Sequence, residues 1–164
     1  MPPDSGTSDR APPRNDPGAP IQTDRPAYLL VRDDQGWGAR IPFEFTNPAP
    51  DTLYAINCNG AITLALEKKA ASEWEMFWMP MTNACLSPPV VIPPGGAFRD
   101  TVDLWGAPPG GNVGPEFRTT DLTGTYRLIW ANLVSHYSDG IPQLGDTVPT
   151  AYRVSNEFEL RPGQ

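Results

Sequence analysis

Histidine and cysteine, which many enzymes use in catalysis, are scarce in this sequence. His136 is its only histidine, and Cys58 and Cys85 are its only cysteines. Hydrolysis through a serine or cysteine nucleophile needs a base held within hydrogen-bond reach, and a structural zinc site needs about four Cys or His ligands. Ser135 and Asp139 lie close to His136 in sequence, but neighbours on one loop do not make a triad. We therefore interpret His136 as a solvated or hydrogen-bonded loop residue, and we expect no catalytic site, no metal and no cofactor.

Positive charge and long apolar runs are also in short supply. Lys and Arg total 12 against 19 Asp and Glu, which gives a formal net charge of −7. A nucleic-acid-binding protein needs a basic surface to displace counterions, and anionic lipid headgroups repel an acidic protein. No stretch approaches the run of about 18 apolar residues that crosses a bilayer. The sequence predicts no nucleic-acid partner and no membrane span.

Uninterrupted helix-forming segments are rare, because 21 prolines and 15 glycines are spread along the 164 residues. An interior proline costs a helix roughly 3 kcal/mol. Five Trp, five Tyr and six Phe instead supply bulky side chains suited to packed sheets. From residue 27 onward, apolar residues alternate with polar ones, as in half-buried strands. The candidate strands are 28–32, 41–46, 53–56, 62–66, 74–78, 98–104, 125–134 and 151–160.

Short strands separated by regular turn signals predict an all-β fold, and we expect an antiparallel β-sandwich. A closed barrel has the same periodicity and stays an alternative. Pro42 lies inside one candidate strand, which indicates a strand at a sheet edge or one that begins there.

The first 26 residues differ in composition from the rest of the chain. They are rich in proline and in small or charged residues, and Ile21 is their only branched apolar residue. Such a segment cannot bury enough apolar surface to fold alone. We expect an extended Pro-rich leader over residues 1–26 and one sandwich domain over residues 27–164. Leaders of this composition follow the lipidated cysteine of many bacterial lipoproteins, and a lipid anchor at the native N-terminus stays an open alternative.

The two cysteines lie beside turn-forming residues, where strand ends of a sandwich are easily bridged. A Cys58–Cys85 disulfide would stabilise the fold by about 3–4 kcal/mol on the chain-entropy model. It would also indicate an oxidising compartment, periplasmic or extracellular. Two buried thiols are the alternative.

The segment 122–128, with the sequence LTGTYRL, resembles the tyrosine corner of immunoglobulin-like sandwiches. In that motif the tyrosine hydroxyl bonds back to the backbone, and the glycine two residues earlier lets the chain turn. Gly124 and Tyr126 match these positions, while Leu128 stands where the usual core cysteine would be. A wider pattern is similar to bacterial immunoglobulin-like domains of secreted proteins and lipoproteins, a group that includes proteinase inhibitors. This resemblance covers about residues 28–160 and rests on segments 41–47, 66–69 with Trp74, 92–96, 124–128 and 155–160.

Two long insertions, 105–121 and 135–150, depart from that pattern. Long loops in compact domains are usually either functional or disordered, and aromatic anchors framed by polar residues suit a binding surface. We therefore predict partner contacts at Trp105 and Phe117 in the first insertion and at Tyr137 and Ile141 in the second. The alternative is that both loops only cover the core.

The resulting hypothesis is a non-catalytic exported subunit that docks on a larger protein complex of the cell envelope, as an accessory or scaffold. The membrane complex could be bioenergetic, transport or secretion machinery. Two other functions stay open: a proteinase inhibitor that acts through loops 105–121 and 135–150, and a ligand-binding module with exposed aromatic residues.

Overall fold

The computed structural model describes residues 16–81, 87–138 and 146–163, and these form an all-β, sandwich-like fold. One short 3-10 turn, Thr150–Tyr152, interrupts the strands. The strands are β1 (Ile21–Thr23), β2 (Ala27–Arg32), β3 (Trp37–Thr46), β4 (Leu53–Ala55), β5 (Asn57–Cys58), β6 (Ala61–Ile62), β7 (Leu64–Ala70), β8 (Glu73–Trp78), β9 (Val90–Ile92), β10 (Ala97–Gly106), β11 (Gly124–Trp130), β12 (Leu133–Val134) and β13 (Phe158–Pro162).

Two sheet sections enclose the core, and β2 connects them. In one section β3 pairs antiparallel with β10 along its whole length and with β1 on its other side. The other section has the order β2-β13-β11-β7-β8, in which β2 and β13 are parallel. The last two residues of β2 reach back to β3. A small sheet β12-β4-β9 and a hairpin β5-β6 complete the fold.

Trp130, at the end of β11, forms the centre of the core. It is fully buried, and its ring meets those of Phe43, Phe45 and Phe98 at centroid distances of 6.3, 5.3 and 5.7 Å. Three aromatic residues of the β3-β10 section therefore pack on one tryptophan of the opposite section. The apolar alternation of the sequence indicated these inward positions.

The second half of the predicted leader belongs to the fold, so the expected boundary between leader and domain at residue 26 is too late. Residues 21–23 pair with 45–43 of β3, and Ile21 is fully buried. Asn156 holds the same segment from the opposite side, since its Oδ1 accepts the Thr23 N–H at 2.8 Å and its N–H donates to the Ile21 carbonyl at 3.1 Å. Residues 1–15 lie outside the described residues.

Several strands differ from their predicted bounds, since the predicted strands 62–66 and 125–134 are each divided in two. Two further differences have identifiable reasons. Strand β3 begins at Trp37, four residues before the predicted start, because Gly38 and Ala39 pair fully with β10 although they carry no alternating pattern. The predicted strand 151–160 is wrong over residues 151–157, where a 3-10 turn and irregular chain precede β13. Pro42 lies in a strand with neighbours on both sides, at a gap between the segments paired with β1 and β2.

Asn47 fixes the turn that follows β3. Its side-chain nitrogen donates to the carbonyls of Asp51 and Ile92, both at 2.9 Å, and its Oδ1 accepts the Ala49 N–H at 2.8 Å. The side chain is nearly fully buried. One residue therefore connects the end of β3 to the end of β9.

Candidate protein-binding surface

Three apolar side chains lie together on the outer surface of the sandwich, and we call them the Val31 face: Leu29, Val31 and Trp105. Val31 is 71% exposed and Leu29 64% exposed, while Trp105 is half-buried. Val31 and Trp105 are both paired with Gly38, one from each side. Directly paired residues share a face of the sheet, and strands lie about 4.8 Å apart, so Val31 and Trp105 lie in one row with the bare Gly38 between them. Leu29 lies on the same face, two residues before Val31 on β2.

Glycine makes this row possible. A Cβ at Gly38 would lie 3.4 Å from Trp105 Cδ1 and 3.0 Å from the Leu104 carbonyl oxygen. The indole therefore lies over the bare backbone of Gly38 and extends to Gly36, where a Cβ would lie 3.0 Å from Trp105 Cζ2. A larger side chain at this position would lift the ring from the sheet.

The Asp33 turn orients the indole. Trp105 Nε1 donates to Asp33 Oδ2 at 2.8 Å, while Asp33 Oδ1 accepts the N–H groups of Gln35 and Gly36 at 2.8 and 2.7 Å. The Gln35 N–H, the Trp105 indole and the Gly36 N–H hold the pKa of this exposed carboxyl below its usual value. Asp33 therefore stays ionised at neutral pH and keeps Trp105 in one orientation.

Charged residues frame the apolar row. Arg161 is paired with Leu29, and Arg40 forms an exposed ion pair with Asp103 at 3.0 Å on the neighbouring row. An apolar centre with a polar rim is the arrangement found in protein–protein interfaces.

Phe117, one of the predicted partner contacts, is a core residue and not a surface anchor. It is 1% exposed and stacks on Phe77 with a centroid distance of 5.2 Å. Backbone bonds between Ala107 and residues 115 and 117 hold both ends of the loop together at 2.9 Å. The tip, residues 108–114, is exposed, as are residues 118–121 after Phe117. Trp105 precedes this loop as part of β10 and does not belong to an insertion.

The second predicted group lies elsewhere on the molecule. Tyr137 is half-buried and stacks on Tyr54 of β4 with a centroid distance of 6.3 Å. It follows the end of β11, whereas Phe117 packs on Phe77 beside Tyr126 at the beginning of that strand. The two loops therefore lie at opposite ends of β11, and the structure does not bring Trp105 and Tyr137 together. Ile141 lies outside the described residues.

The predicted corner residues occupy the start of β11. The Tyr126 hydroxyl donates to the Leu122 carbonyl at 2.7 Å, and the tyrosine is fully buried. Gly124 is the first residue of the strand. This backward bond is the contact that the resemblance implies.

The structure describes one of the two cysteines of the predicted disulfide, Cys58. The described part of the chain contains no free cysteine, Cys58 included. Cys85 lies outside the described residues, so the Cys58–Cys85 disulfide stays a prediction.

The described histidine, cysteine and acidic residues, which could act in catalysis or bind a metal ion, do not form a cluster. His136 is exposed on the loop after β12, and Asp139 lies outside the described residues. Within residues 16–81, 87–138 and 146–163, no three His, Cys, Asp or Glu side chains come close enough to hold a metal ion. In that same part of the chain, no helix is long and apolar enough to cross a bilayer.

Comparison of the sequence with models of known protein families and with curated proteins gave no match. Assignment of function therefore depends on the surface itself.

Leu29 and Val31 are not among the predicted partner contacts, although the sequence contains a signal for both. Residues 28–31 are Tyr-Leu-Leu-Val, four apolar residues in succession. A strand that is apolar on both faces either has both faces buried or exposes one apolar face to solvent. The structure has the second arrangement, since Tyr28 and Leu30 face the core.

Proposed function

We propose that this protein is a non-catalytic accessory or scaffold subunit that docks on a larger protein complex of the bacterial cell envelope through its Val31 face. The observation that carries the proposal is the exposed row Leu29–Val31–Trp105, in which one ring is preoriented by Asp33. Isolated exposed apolar residues are ordinary, but a contiguous row with a charged rim is typical of a docking site.

We also propose that the sandwich is of the immunoglobulin-like type. The order β13-β11-β7, with β8 at the edge, corresponds to the sheet that holds the last two strands of such domains. The pairing of β3 with β10 and β1 corresponds to the opposite sheet. The Tyr126–Leu122 hydrogen bond supports the same assignment.

An exported location belongs to the proposal as well. Its support is that Cys58 is not a free thiol, which fits an oxidising compartment such as the periplasm. Residues 1–15 would then connect the domain to its anchor or to its partner.

The docking proposal predicts the effect of a charge at Val31. Val31→Asp should lower recovery of the partner complex by about tenfold or more, because a carboxylate would have to be desolvated at the centre of an apolar contact. The measurement is quantitative mass spectrometry of the proteins that co-purify with the full chain from solubilised envelope of the source organism.

Val91→Asp is the matched control, since Val91 is a strand valine that is also well exposed, at 57%, but belongs to the small sheet. This variant should recover the complex as the wild type does. Equal recovery by both variants, each folded by circular dichroism, would contradict docking through the Val31 face.

Proteinase inhibition is the second candidate, and one feature favours it. The tip 108–114 is exposed, while Phe117 and the bonds of Ala107 fix its base. A projecting loop on a rigid base is what insertion into a protease cleft requires.

If this is the function, deletion of residues 109–113 should abolish inhibition across a panel of purified serine and cysteine proteinases, and Tyr137→Ala should not. Absence of inhibition by the wild-type chain would exclude this candidate.

A further inference from the structure

Strand β10 has one open edge. It pairs with β3 over all ten residues, and no other strand of the described residues pairs with it. A long unpaired edge presents backbone donors and acceptors to any strand that can align with it.

The backbone groups that face outward on this edge belong to the odd-numbered residues. The Trp105 carbonyl accepts the Trp78 indole N–H at 2.7 Å, and the Thr101 N–H donates to Asp100 Oδ1 at 2.7 Å, so neither group bonds to β3. In an antiparallel ladder the hydrogen-bonding direction alternates with every residue. Residues 97, 99, 101 and 103 therefore turn their N–H and C=O groups toward the open edge, whereas the Trp78 indole already occupies the carbonyl of Trp105.

Charges alternate along the outer face of the same strand. Arg99 pairs with Glu44 across the sheet, and Asp103 pairs with Arg40 at 3.0 Å. All four positions are in direct register on β3 and β10. One cation and one anion thus stand four residues apart, with Thr101 midway between them.

We propose that the open edge of β10 binds β10 of a second copy of this chain, antiparallel and centred on Thr101. This register places Arg99 opposite Asp103 of the second copy, and Asp103 opposite Arg99 of the second copy. Opposite charges that face each other across strands stabilise the pair. Two rows of alternating charge then run across four strands, from Glu44 of one copy to Arg40 of the other.

Three alternative symmetric registers are disfavoured by charge, and a fourth lacks the favourable pairs. Centring on Arg99, Asp100 or Asp103 would set that residue against its own copy, and like charges directly opposite are destabilising. Centring on Val102 pairs Asp103 with Thr101 and brings no opposite charges together. The sequence of β10 therefore selects the register centred on Thr101.

A cavity of about 270 Å³ lies beside this edge. Its apolar wall includes Ile62, Leu64 and Trp78, and the strand contributes residues 100–103. Leu64 and Trp78 are already buried, so a second β10 that covered the cavity would add the apolar burial of Ile62 to the backbone bonds.

Asp100 restrains the association, because its carboxylate occupies the central Thr101 N–H. Pairing requires that this donor be released to the second copy. Asp100→Ala should therefore tighten self-association, and we expect a dissociation constant about tenfold lower, since one released hydrogen-bond donor changes affinity by about that factor.

The test uses the full chain and two complementary variants, Arg99→Asp and Asp103→Arg. Alone, each sets like charges opposite each other twice, and sedimentation velocity should show self-association roughly 10- to 100-fold weaker than in the wild type. Mixed in equal amounts, they should form a heterodimer, because both cross-strand pairs again join opposite charges. Native mass spectrometry distinguishes the heterodimer by mass.

Glu44→Gln is the matched control, since it removes the same intramolecular ion pair as Arg99→Asp without changing the open edge. It should dimerise as the wild type does. A wild-type chain that stays monomeric at about 100 μM, or variants that fail to recombine while folded, would overturn the proposal. The proposal does not rest on the docking function, and Val31→Asp should leave the dimer intact.

Discussion

Phe117→Ala is expected to lower the free energy of unfolding by about 3–5 kcal/mol, the usual cost of truncating a buried phenylalanine. Phe117 is 1% exposed and stacks on Phe77. It also fills the space over Gly106, where a Cβ would come within 2.8 Å of its ring. Its removal would leave a cavity that the two ends of the loop cannot fill. Urea denaturation followed by tryptophan fluorescence measures the effect.

Val113→Ala provides the comparison on the same loop. Val113 is 37% exposed at the projecting tip, so the free energy of unfolding should change by less than about 0.5 kcal/mol. Equal effects of the two substitutions would mean that the loop does not pack on the core.

Asn47→Ala is expected to lower the free energy of unfolding by about 2–4 kcal/mol, because it leaves buried or partly buried backbone groups without partners. The carbonyls of Ile92 and Asp51 and the N–H of Ala49 would each lose a hydrogen bond of 2.8–2.9 Å. The same denaturation experiment measures the loss.

Asn112→Ala is the matched control, because it makes the same substitution at an exposed asparagine of the loop 108–114. Its free energy of unfolding should stay close to the wild-type value. If Asn47→Ala were equally mild, the turn after β3 would not depend on its side chain.

Alternation in the sequence predicted most of the strands that build the two sheet sections. Strand β3 falls where Ile41, Phe43 and Phe45 recur at every second position, because this strand has one face on the core. The all-β class followed for the same reason, together with the dense proline and glycine. These are local signals, and a local pattern can be read from one sequence.

The misses have a different physical origin. Ile21 is a lone apolar residue among prolines, and its burial depends on β3 and Asn156, both distant in sequence. Phe117 was assigned to a binding loop because it follows no alternation, yet one large side chain with a long-range contact to Phe77 is enough to bind a loop to the core. Long-range packing of single residues leaves no periodic trace.

The sequence predicted only part of the Val31 face. Trp105 was singled out from the sequence, but its neighbours Val31 and Gly38 belong to other strands and meet it only through the sheet register. The indole orientation depends on Asp33, 72 residues away in the chain. Register between distant strands therefore decides which apolar residues form one face.

Site-specific photo-crosslinking tests the docking proposal most directly. A photoreactive amino acid is placed at position 31 or at position 91 of the full chain, and each protein is irradiated in intact envelope of the source organism. We expect position 31 to give one discrete crosslinked partner protein, identified by mass spectrometry, and position 91 to give none. Crosslinks of equal yield and identity from both positions, or none from position 31, would contradict the Val31 face as the docking surface.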